Sequence, residues 1–231
     1  MTVTRTLTIR DGDATVHGDL TVPDAPSGLV LFAHGSGSGR FSPRNRKVAA
    51  GLVDAGLATL LMDLLSEEED RADRLDHRHR FDIALLARRL AAAMEESARD
   101  AAVGHLPLGL FGASTGAAAA LVAAADHPGE VRAVVSRGGR PDLAGAALGR
   151  VRCPTLLVVG ARDEIVVDLN ERAARRLGEV AKVAIVPAAT HLFEEPGALD
   201  RVIVLSRDWF LEHLAGVSAG RASTGHEPAS L

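Results

Sequence analysis

Ser114 stands in the middle of a Gly-x-Ser-x-Gly pattern, Gly112 to Gly116, which could make its hydroxyl a nucleophile. The apolar run "LGLFG" comes before the serine and the alanine-rich run "TGAAAALVAAAD" begins directly after it, so we predict a strand, a sharp turn and a helix. Such a turn exposes the hydroxyl beside a helix N-terminus, whose unpaired N–H groups favour developing negative charge. The alternative is a packing turn of small residues, which needs no hydroxyl.

A candidate acid and a candidate base follow later in the chain. A serine hydroxyl is a poor nucleophile unless a base removes its proton and a third group orients that base. Asp163 comes just after the apolar run "TLLVVG", and His191 comes just after the next run, "KVAIVP". Because parallel strands end at one edge of a sheet, we expect both side chains near Ser114, in the order nucleophile, acid, base. Glu164 is a competing candidate for the acid.

The glycine-rich segment "HGSGSGR", residues 34–40, could bind the substrate carbonyl oxygen as it becomes negatively charged. Its glycines let backbone N–H groups turn towards that oxygen. We predict that Ser36 supplies one donor and that the backbone N–H of Thr115 supplies the other, while His34 has a structural role in the segment. Losing one donor of this kind costs roughly 3–4 kcal/mol of transition-state stabilisation.

Three arginines are candidates for binding an anionic part of a substrate. Arg137 and Arg140 flank two glycines in "SRGGRPD", and Arg40 ends the glycine-rich segment, with Arg44 shortly after it. The planar fork of a guanidinium fits a carboxylate or a phosphate. The alternative is that these are ordinary solvated loop arginines.

The elements that must position these residues form an alternating pattern. Six short apolar runs predict strands of a parallel sheet that is buried on both faces: 29–33, 58–64, 108–112, 131–136, 155–160 and 182–187. Before them, "TVTRTLTI" and "ATVHGDLTV" alternate around "RDGD", which predicts an antiparallel β-hairpin. The predicted fold class is therefore α/β, a three-layer sandwich with a mostly parallel sheet and an N-terminal hairpin.

Helices are expected between and after the strands, over 44–56, 81–100, 115–126, 168–179 and 199–214. In the second of these, Ile83, Leu86, Leu90 and Met94 share one face. Asp168 is expected to be the N-cap of the fourth. The charged segment 66–80 is predicted to be a solvated loop that could include a short helix. We expect one domain over residues 1–214 and a disordered tail over 215–231.

Composition argues against several classes of function. The 231 residues carry a formal net charge of −4 and show no basic stripe, so nucleic acid is not an expected partner. The single cysteine, Cys153, excludes an internal disulfide and favours a reducing compartment. The first residues lack the apolar core of a signal peptide and no apolar run could cross a bilayer, so we expect a cytoplasmic protein without membrane contact. His77 and His79 lack further ligands at metal-binding spacing, so no metal is expected.

Four segments of the chain resemble the α/β-hydrolase superfamily, most closely its small dienelactone-hydrolase-like members. These segments are "LFAHGSGSG", "GASTG", "VVGARDEIV" and "ATHLFEEPG", and the resemblance covers about residues 10–214. It implies hydrolysis of an ester or a related acyl bond, without a metal or an organic cofactor. True dienelactone hydrolases use a cysteine nucleophile where this chain has serine, so the resemblance implies an esterase rather than that named activity. The short connection between 131–136 and 155–160 leaves no room for a lid domain, which implies an open site.

The sequence thus predicts a serine hydrolase that cleaves esters of small or anionic substrates. The same residues would also serve an acyltransferase or a peptidase, and the fold could belong to a binding protein without catalysis. A dinucleotide-binding oxidoreductase is a further alternative, because a glycine-rich loop follows a strand and Asp63 ends the next one. Its glycines, however, run G-x-G-x-G rather than G-x-G-x-x-G. The partner expected is a small-molecule substrate, and a homodimer is left open.

Overall fold

The computed structural model describes residues 1–214 and places eight strands in one sheet between two layers of helices. The predicted tail, 215–231, lies outside the described residues. The strands are β1 Val3–Asp11, β2 Ala14–Val22, β3 Leu29–Ala33, β4 Ala58–Met62, β5 Leu108–Ala113, β6 Val131–Arg137, β7 Thr155–Gly160 and β8 Ala181–Val186. The α-helices are α1 Pro43–Asp54, α2 Glu67–Asp76, α3 Ile83–Arg99, α4 Thr115–Asp126, α5 Glu164–Leu177 and α6 Ala198–Leu214, and 3₁₀ helices cover Pro141–Arg150 and Gly178–Val180.

The sheet has the strand order β1-β2-β4-β3-β5-β6-β7-β8. The predicted N-terminal hairpin is confirmed: β1 pairs antiparallel with β2, and β2 pairs antiparallel with β4. All other neighbours are parallel. The six parallel strands, β3 to β8, therefore end at one edge of the sheet, and this edge carries the residues expected to do chemistry.

Two apolar clusters form the core, one on each face of the sheet. The first packs α3 and α4 against the sheet, and the predicted face of α3 contributes Leu86, Leu90 and Met94 to it. The second packs α1 and α6 against the other face, around Phe32 and Phe111. Burying a side chain of leucine or phenylalanine size contributes roughly 1.5–3 kcal/mol. The two clusters confirm the three-layer sandwich.

Two local predictions differ from the structure. Within the charged segment 66–80, residues Glu67–Asp76 form the helix α2, longer than expected, because Ser66 and Glu69 make a reciprocal capping box at its start. The N-cap of α5 is Asp163, so the prediction that Asp168 caps this helix was wrong. Val166 extends the buried face of α5 by one turn towards the N-terminus, and Asp168 pairs instead with Arg172 inside the helix.

The connection from β6 to β7 is short, as expected. In the described structure it holds one 3₁₀ helix and no lid domain. Among the helices within residues 1–214, none is long and apolar enough to span a bilayer.

Candidate active site

Ser114 lies in a strained turn between the end of β5 and the start of α4. Its backbone has φ 51° and ψ −120°, a region that costs a non-glycine residue of order 1–3 kcal/mol. Hydrogen bonds to the neighbouring β6 connection hold it there: Ser114 N–H donates to Arg137 O (3.3 Å), and Arg140 N–H donates to Ser114 O (3.1 Å). The strain thus presents a hydroxyl at the first turn of a helix.

The two flanking glycines are required by close backbone contacts. A Cβ on Gly112 would lie 2.4 Å from Ala117 Cα, and one on Gly116 would lie 2.2 Å from Ala33 O. Both obstacles are backbone atoms, which cannot move aside as a flexible side chain can. The Gly-x-Ser-x-Gly pattern therefore reflects tight packing of α4 against β5 and the end of β3.

Asp163 and His191 are hydrogen-bonded to each other. His191 Nδ1–H donates to Asp163 Oδ2 at 2.7 Å, which leaves Nε2 as the nitrogen that can exchange a proton with a substrate or a nucleophile. Asp163 is the N-cap of α5, yet its carboxylate makes no capping bond to the helix, so it is available to the imidazole. The acid side chain is 18% exposed and the histidine side chain 39%, which suits a base that must meet a substrate.

The loop that carries His191 is anchored next to Ser114. Phe193, with φ 56°, is buried in the α1/α6 cluster and fixes the loop. A Cβ on Gly138 would lie 3.5 Å from His191 Cε1, so the imidazole ring packs against Gly138. Gly138 directly follows Arg137, whose backbone oxygen accepts the hydrogen bond from Ser114 N–H. Ser114 Oγ and the His191 ring share no hydrogen bond in this part of the chain as described. Such bonds often tighten only when substrate is bound.

The glycine-rich segment 34–40 lies beside the serine. A Cβ on Gly35 would lie 3.1 Å from Ser114 Cβ, and the hydroxyls of Ser36 and Thr115 are 3.1 Å apart. Thr115 is the first residue of α4, so its N–H has no partner within the helix. The two residues expected to bind the oxyanion are thus adjacent to each other.

His34 holds this segment to β4. Its Nδ1–H donates to Gly35 O (2.9 Å) and its Nε2 accepts from Leu64 N–H (3.0 Å). Only a neutral imidazole can donate from one ring nitrogen and accept at the other. Burial lowers the pKa of His34 and so favours this neutral form. This arrangement agrees with a structural role for His34.

The three candidate arginines differ in their partners. Arg40 bonds Asp63 through both its backbone N–H (2.8 Å) and its guanidinium, so the acid that a dinucleotide ribose would need is already occupied. Arg140 forks onto Asp142 at 2.9 and 2.7 Å, and this hydrogen bonding raises the pKa of Arg140. Both charges are therefore compensated within the protein.

Arg137 is different because it has no acidic partner in the described part of the chain. The residue is 9% exposed, makes no ion pair within residues 1–214, and leaves a buried Nη1 without a hydrogen bond. Burial lowers the pKa of Arg137 to about 10, with a further contribution from the nearby charge of Arg44. A buried cation without an anion is costly unless a ligand supplies one.

Asn170 is a residue of the site region that the sequence analysis missed. It is buried on α5, and its Nδ2 donates to Gly139 O (3.0 Å) and to Val166 O (2.7 Å). It thereby ties the helix that begins at Asp163 to the connection that holds the Ser114 backbone. A polar residue on the buried face of α5, in register with Val166, Ala173 and Leu177, was the available signal.

A cavity of about 680 Å³ opens beside the glycine-rich segment. We call it the side cavity. It is bounded by segment 34–42, by Asp63–Glu67, by α2 residues, by Arg80 and Leu86, and by Thr115. Because it reaches Thr115 and Ser36, it adjoins the place where a substrate carbonyl would bind.

Comparisons with known proteins agree with this fold. A family model described as an alpha/beta hydrolase domain matches residues 26–202. A solved dienelactone hydrolase from Anabaena variabilis is 51% identical, with a TM-score of 0.90, over 92% of this chain and 99% of that one. A dienelactone hydrolase-like promiscuous phosphotriesterase from metagenomic libraries shares the fold at 20% identity, with a TM-score of 0.75, over 92% and 98% of the two chains.

Curated relatives from two strains of Mycobacterium tuberculosis are 56% identical over 205 residues. They carry the provisional name phosphoribosyl transferase. The match covers 89% of this chain but 45% of theirs, so the chain spans less than half the length of these relatives. The name therefore describes a protein of which the larger part has no counterpart in this chain.

Proposed function

Because this chain belongs to the alpha/beta hydrolase family, with a dienelactone hydrolase as a 51% identical relative, we propose that it is a serine hydrolase of small ester substrates. One observation carries the proposal. The 2.7 Å hydrogen bond between His191 and Asp163 lies at the sheet edge where the strained turn presents Ser114. An oriented imidazole and a half-buried serine at the same sheet edge are the groups that acyl transfer needs.

In the first half of the proposed reaction, Ser114 Oγ attacks the carbonyl carbon of the ester while His191 Nε2 takes the hydroxyl proton. The carbonyl oxygen becomes an oxyanion, and the segment at Ser36 and the backbone N–H of Thr115 stabilise it. Asp163 stabilises the imidazolium that forms. The bond from carbon to the alcohol oxygen then breaks, His191 returns the proton to the leaving alcohol, and an acyl group remains on Ser114.

In the second half, a water molecule takes the place of the alcohol and releases the acyl group from Ser114. His191 takes a proton from the water, the hydroxide oxygen attacks the acyl carbon, and the carboxylic acid leaves as Ser114 regains its proton. The serine is the nucleophile where dienelactone hydrolases proper have a cysteine.

The test of this function is labelling with a fluorophosphonate, which reacts with activated serines, beside turnover of p-nitrophenyl acetate. We expect the intact mass of the folded protein to increase by one adduct, and we expect turnover to be lost in step with labelling. A folded protein that neither reacts nor turns over the ester would contradict the proposal. A hydrolase-fold binding protein would then be the better description.

Arg137 supports an anionic substrate for this reaction. Strand alternation places it on the α1/α6 face of the sheet, like Ala133 and Val135, whereas the side cavity is lined by α2 and the glycine-rich segment. One part of an ester could therefore extend into the side cavity while an anionic part reaches Arg137. A carboxylate or phosphate there would compensate the buried charge.

Replacing Arg137 with glutamine should raise KM for anionic esters far more than for neutral ones. The substrates are 4-acetoxybenzoate and its neutral amide, 4-acetoxybenzamide, which differ in charge and share the same acetyl group. We expect KM for the benzoate to rise about 10- to 100-fold, the range of one charged hydrogen bond, with little change for the amide. Arg132→Gln, at an exposed position of the same strand, is the control. Equal effects on both esters would remove the anionic part of the proposal.

A further inference from the structure

The side cavity contains an arginine whose orientation is fixed by the protein. Arg80 lies between α2 and α3, and its side chain is 20% exposed. Asp73, on α2, has a side chain that is only 2% exposed and accepts hydrogen bonds from the backbone N–H groups of His79 (2.8 Å) and Arg80 (2.9 Å). The charged segment, expected to be mostly solvated loop, is thus folded around a buried carboxylate.

Asp73 holds the guanidinium of Arg80 from one side. Arg80 Nε donates to Asp73 Oδ2 at 2.5 Å, and Nη2 donates to Asp73 O at 3.1 Å. Burial alone would raise the pKa of Asp73, but the hydrogen bonds from Arg80 and His79 outweigh it and lower that pKa. The pair therefore stays ionised, and two of the three guanidinium nitrogens are committed to it.

The third nitrogen, Nη1, faces the glycine-rich segment. A Cβ on Gly37 would lie 3.8 Å from it, and Gly37 has φ +67°, so the segment bends past the guanidinium without a side chain in between. Among the residues that the structure describes, Nη1 has no hydrogen-bond partner. A fixed donor therefore lies in the wall of the side cavity, which Ser36 and Thr115 also line.

The charged residues that line the side cavity indicate which kind of acceptor Arg80 Nη1 would bind. Four acidic side chains and three arginines line it, and each arginine is paired with an acid: Arg40 with Asp63, Arg74 with Asp70, Arg80 with Asp73. Glu67 remains, so the cavity has no excess positive charge to attract an anion. A neutral oxygen can accept a hydrogen bond from Arg80 without bringing further negative charge into the cavity.

We propose that Arg80 is a specificity-determining residue whose Nη1 donates a hydrogen bond to a neutral oxygen, a keto, ether or hydroxyl group, in the acyl part of the substrate. This inference rests on the proposed esterase function. Asp73 is then a positioning residue, which acts through Arg80. The proposed substrates are esters of short oxygenated acids, as distinct from plain fatty acids.

The test compares three p-nitrophenyl esters of nearly equal acyl size: pentanoate, 4-oxopentanoate and hydrogen succinate. The wild-type enzyme should prefer the 4-oxopentanoate to the pentanoate. In Arg80→Gln, kcat/KM for the 4-oxopentanoate should fall about tenfold relative to the pentanoate, as expected for loss of one charge-assisted hydrogen bond. Arg71→Gln, at an exposed position of α2, should keep the wild-type ratio.

Arg80→Lys tests whether a loss of preference in Arg80→Gln comes merely from a damaged fold. It keeps a cation for Asp73 and so protects the fold, but it removes the planar fork that reaches both Asp73 and the cavity. Loss of the preference in both folded variants would support the proposal. Equal loss on all three esters, no change in the ratio, or selective loss on the succinate would each overturn it. If folded wild-type enzyme cleaved none of the three esters, the proposed function itself would fail.

Discussion

Ser114→Ala is expected to abolish the fluorophosphonate adduct and to lower kcat/KM for p-nitrophenyl acetate by about 10⁴-fold or more. The alanine keeps the backbone turn but removes the only atom proposed to form the acyl bond. The remaining rate would come from the oxyanion donors and substrate binding, which a missing nucleophile does not affect. Intact-protein mass and initial rates, measured on protein shown to be folded by circular dichroism, check both parts.

Ser27→Ala is the matched control for this variant. Ser27 is an exposed serine before β3, at the opposite edge of the sheet, and its hydroxyl makes a 3.4 Å hydrogen bond to Gly56 O. It should label and turn over as the wild type does. An adduct that persists on Ser114→Ala would show that another serine reacts, and the nucleophile would have to be reassigned.

Asp163→Asn is expected to lower kcat by about 10³- to 10⁴-fold while the protein still folds. An amide in this position can donate to Nδ1, which favours the tautomer with its proton on Nε2, where a base is needed. It also cannot stabilise an imidazolium. The measurement is kcat for p-nitrophenyl acetate together with the rate of fluorophosphonate labelling, which should fall in parallel.

Glu164→Gln separates this prediction from its alternative. Glu164 is the next residue, exposed in the first turn of α5, and was the competing candidate for the acid. It should retain nearly full activity, because His191 bonds Asp163. The reverse result, a large loss in Glu164→Gln and little in Asp163→Asn, would contradict the proposed roles.

The sheet and the positions of the candidate residues could be predicted because their signals are local. Buried parallel strands are apolar throughout, and the turn at Ser114 requires glycines at fixed neighbours. Asp163 and His191 each follow such a strand directly. Strand ends meet at one edge in any parallel sheet, so chain position alone places these residues together.

The environments of the arginines could not be predicted, because charge in a sequence does not specify a partner. Arg140 pairs with Asp142, two residues away, whereas Arg137 has no acidic partner among residues 1–214. Likewise, the composition of 66–80 is that of a solvated segment. It folds as a cavity wall because Asp73 is buried beneath Arg80 and because Glu69 bonds the buried Arg89 of α3. These are tertiary contacts, which no local pattern encodes.

Because of its backbone conformation, position 114 is one where the stability of the protein and its proposed activity favour different residues. At φ 51° a glycine would be relaxed, whereas every residue with a side chain is strained. Optimising the chain for stability alone would therefore favour glycine at the one position where the proposed chemistry needs a hydroxyl. Two backbone hydrogen bonds, to Arg137 and from Arg140, keep the serine in place, so the β6 connection contributes to the site through its main chain as well. Engineering for thermal tolerance should leave both segments alone and look for gains elsewhere.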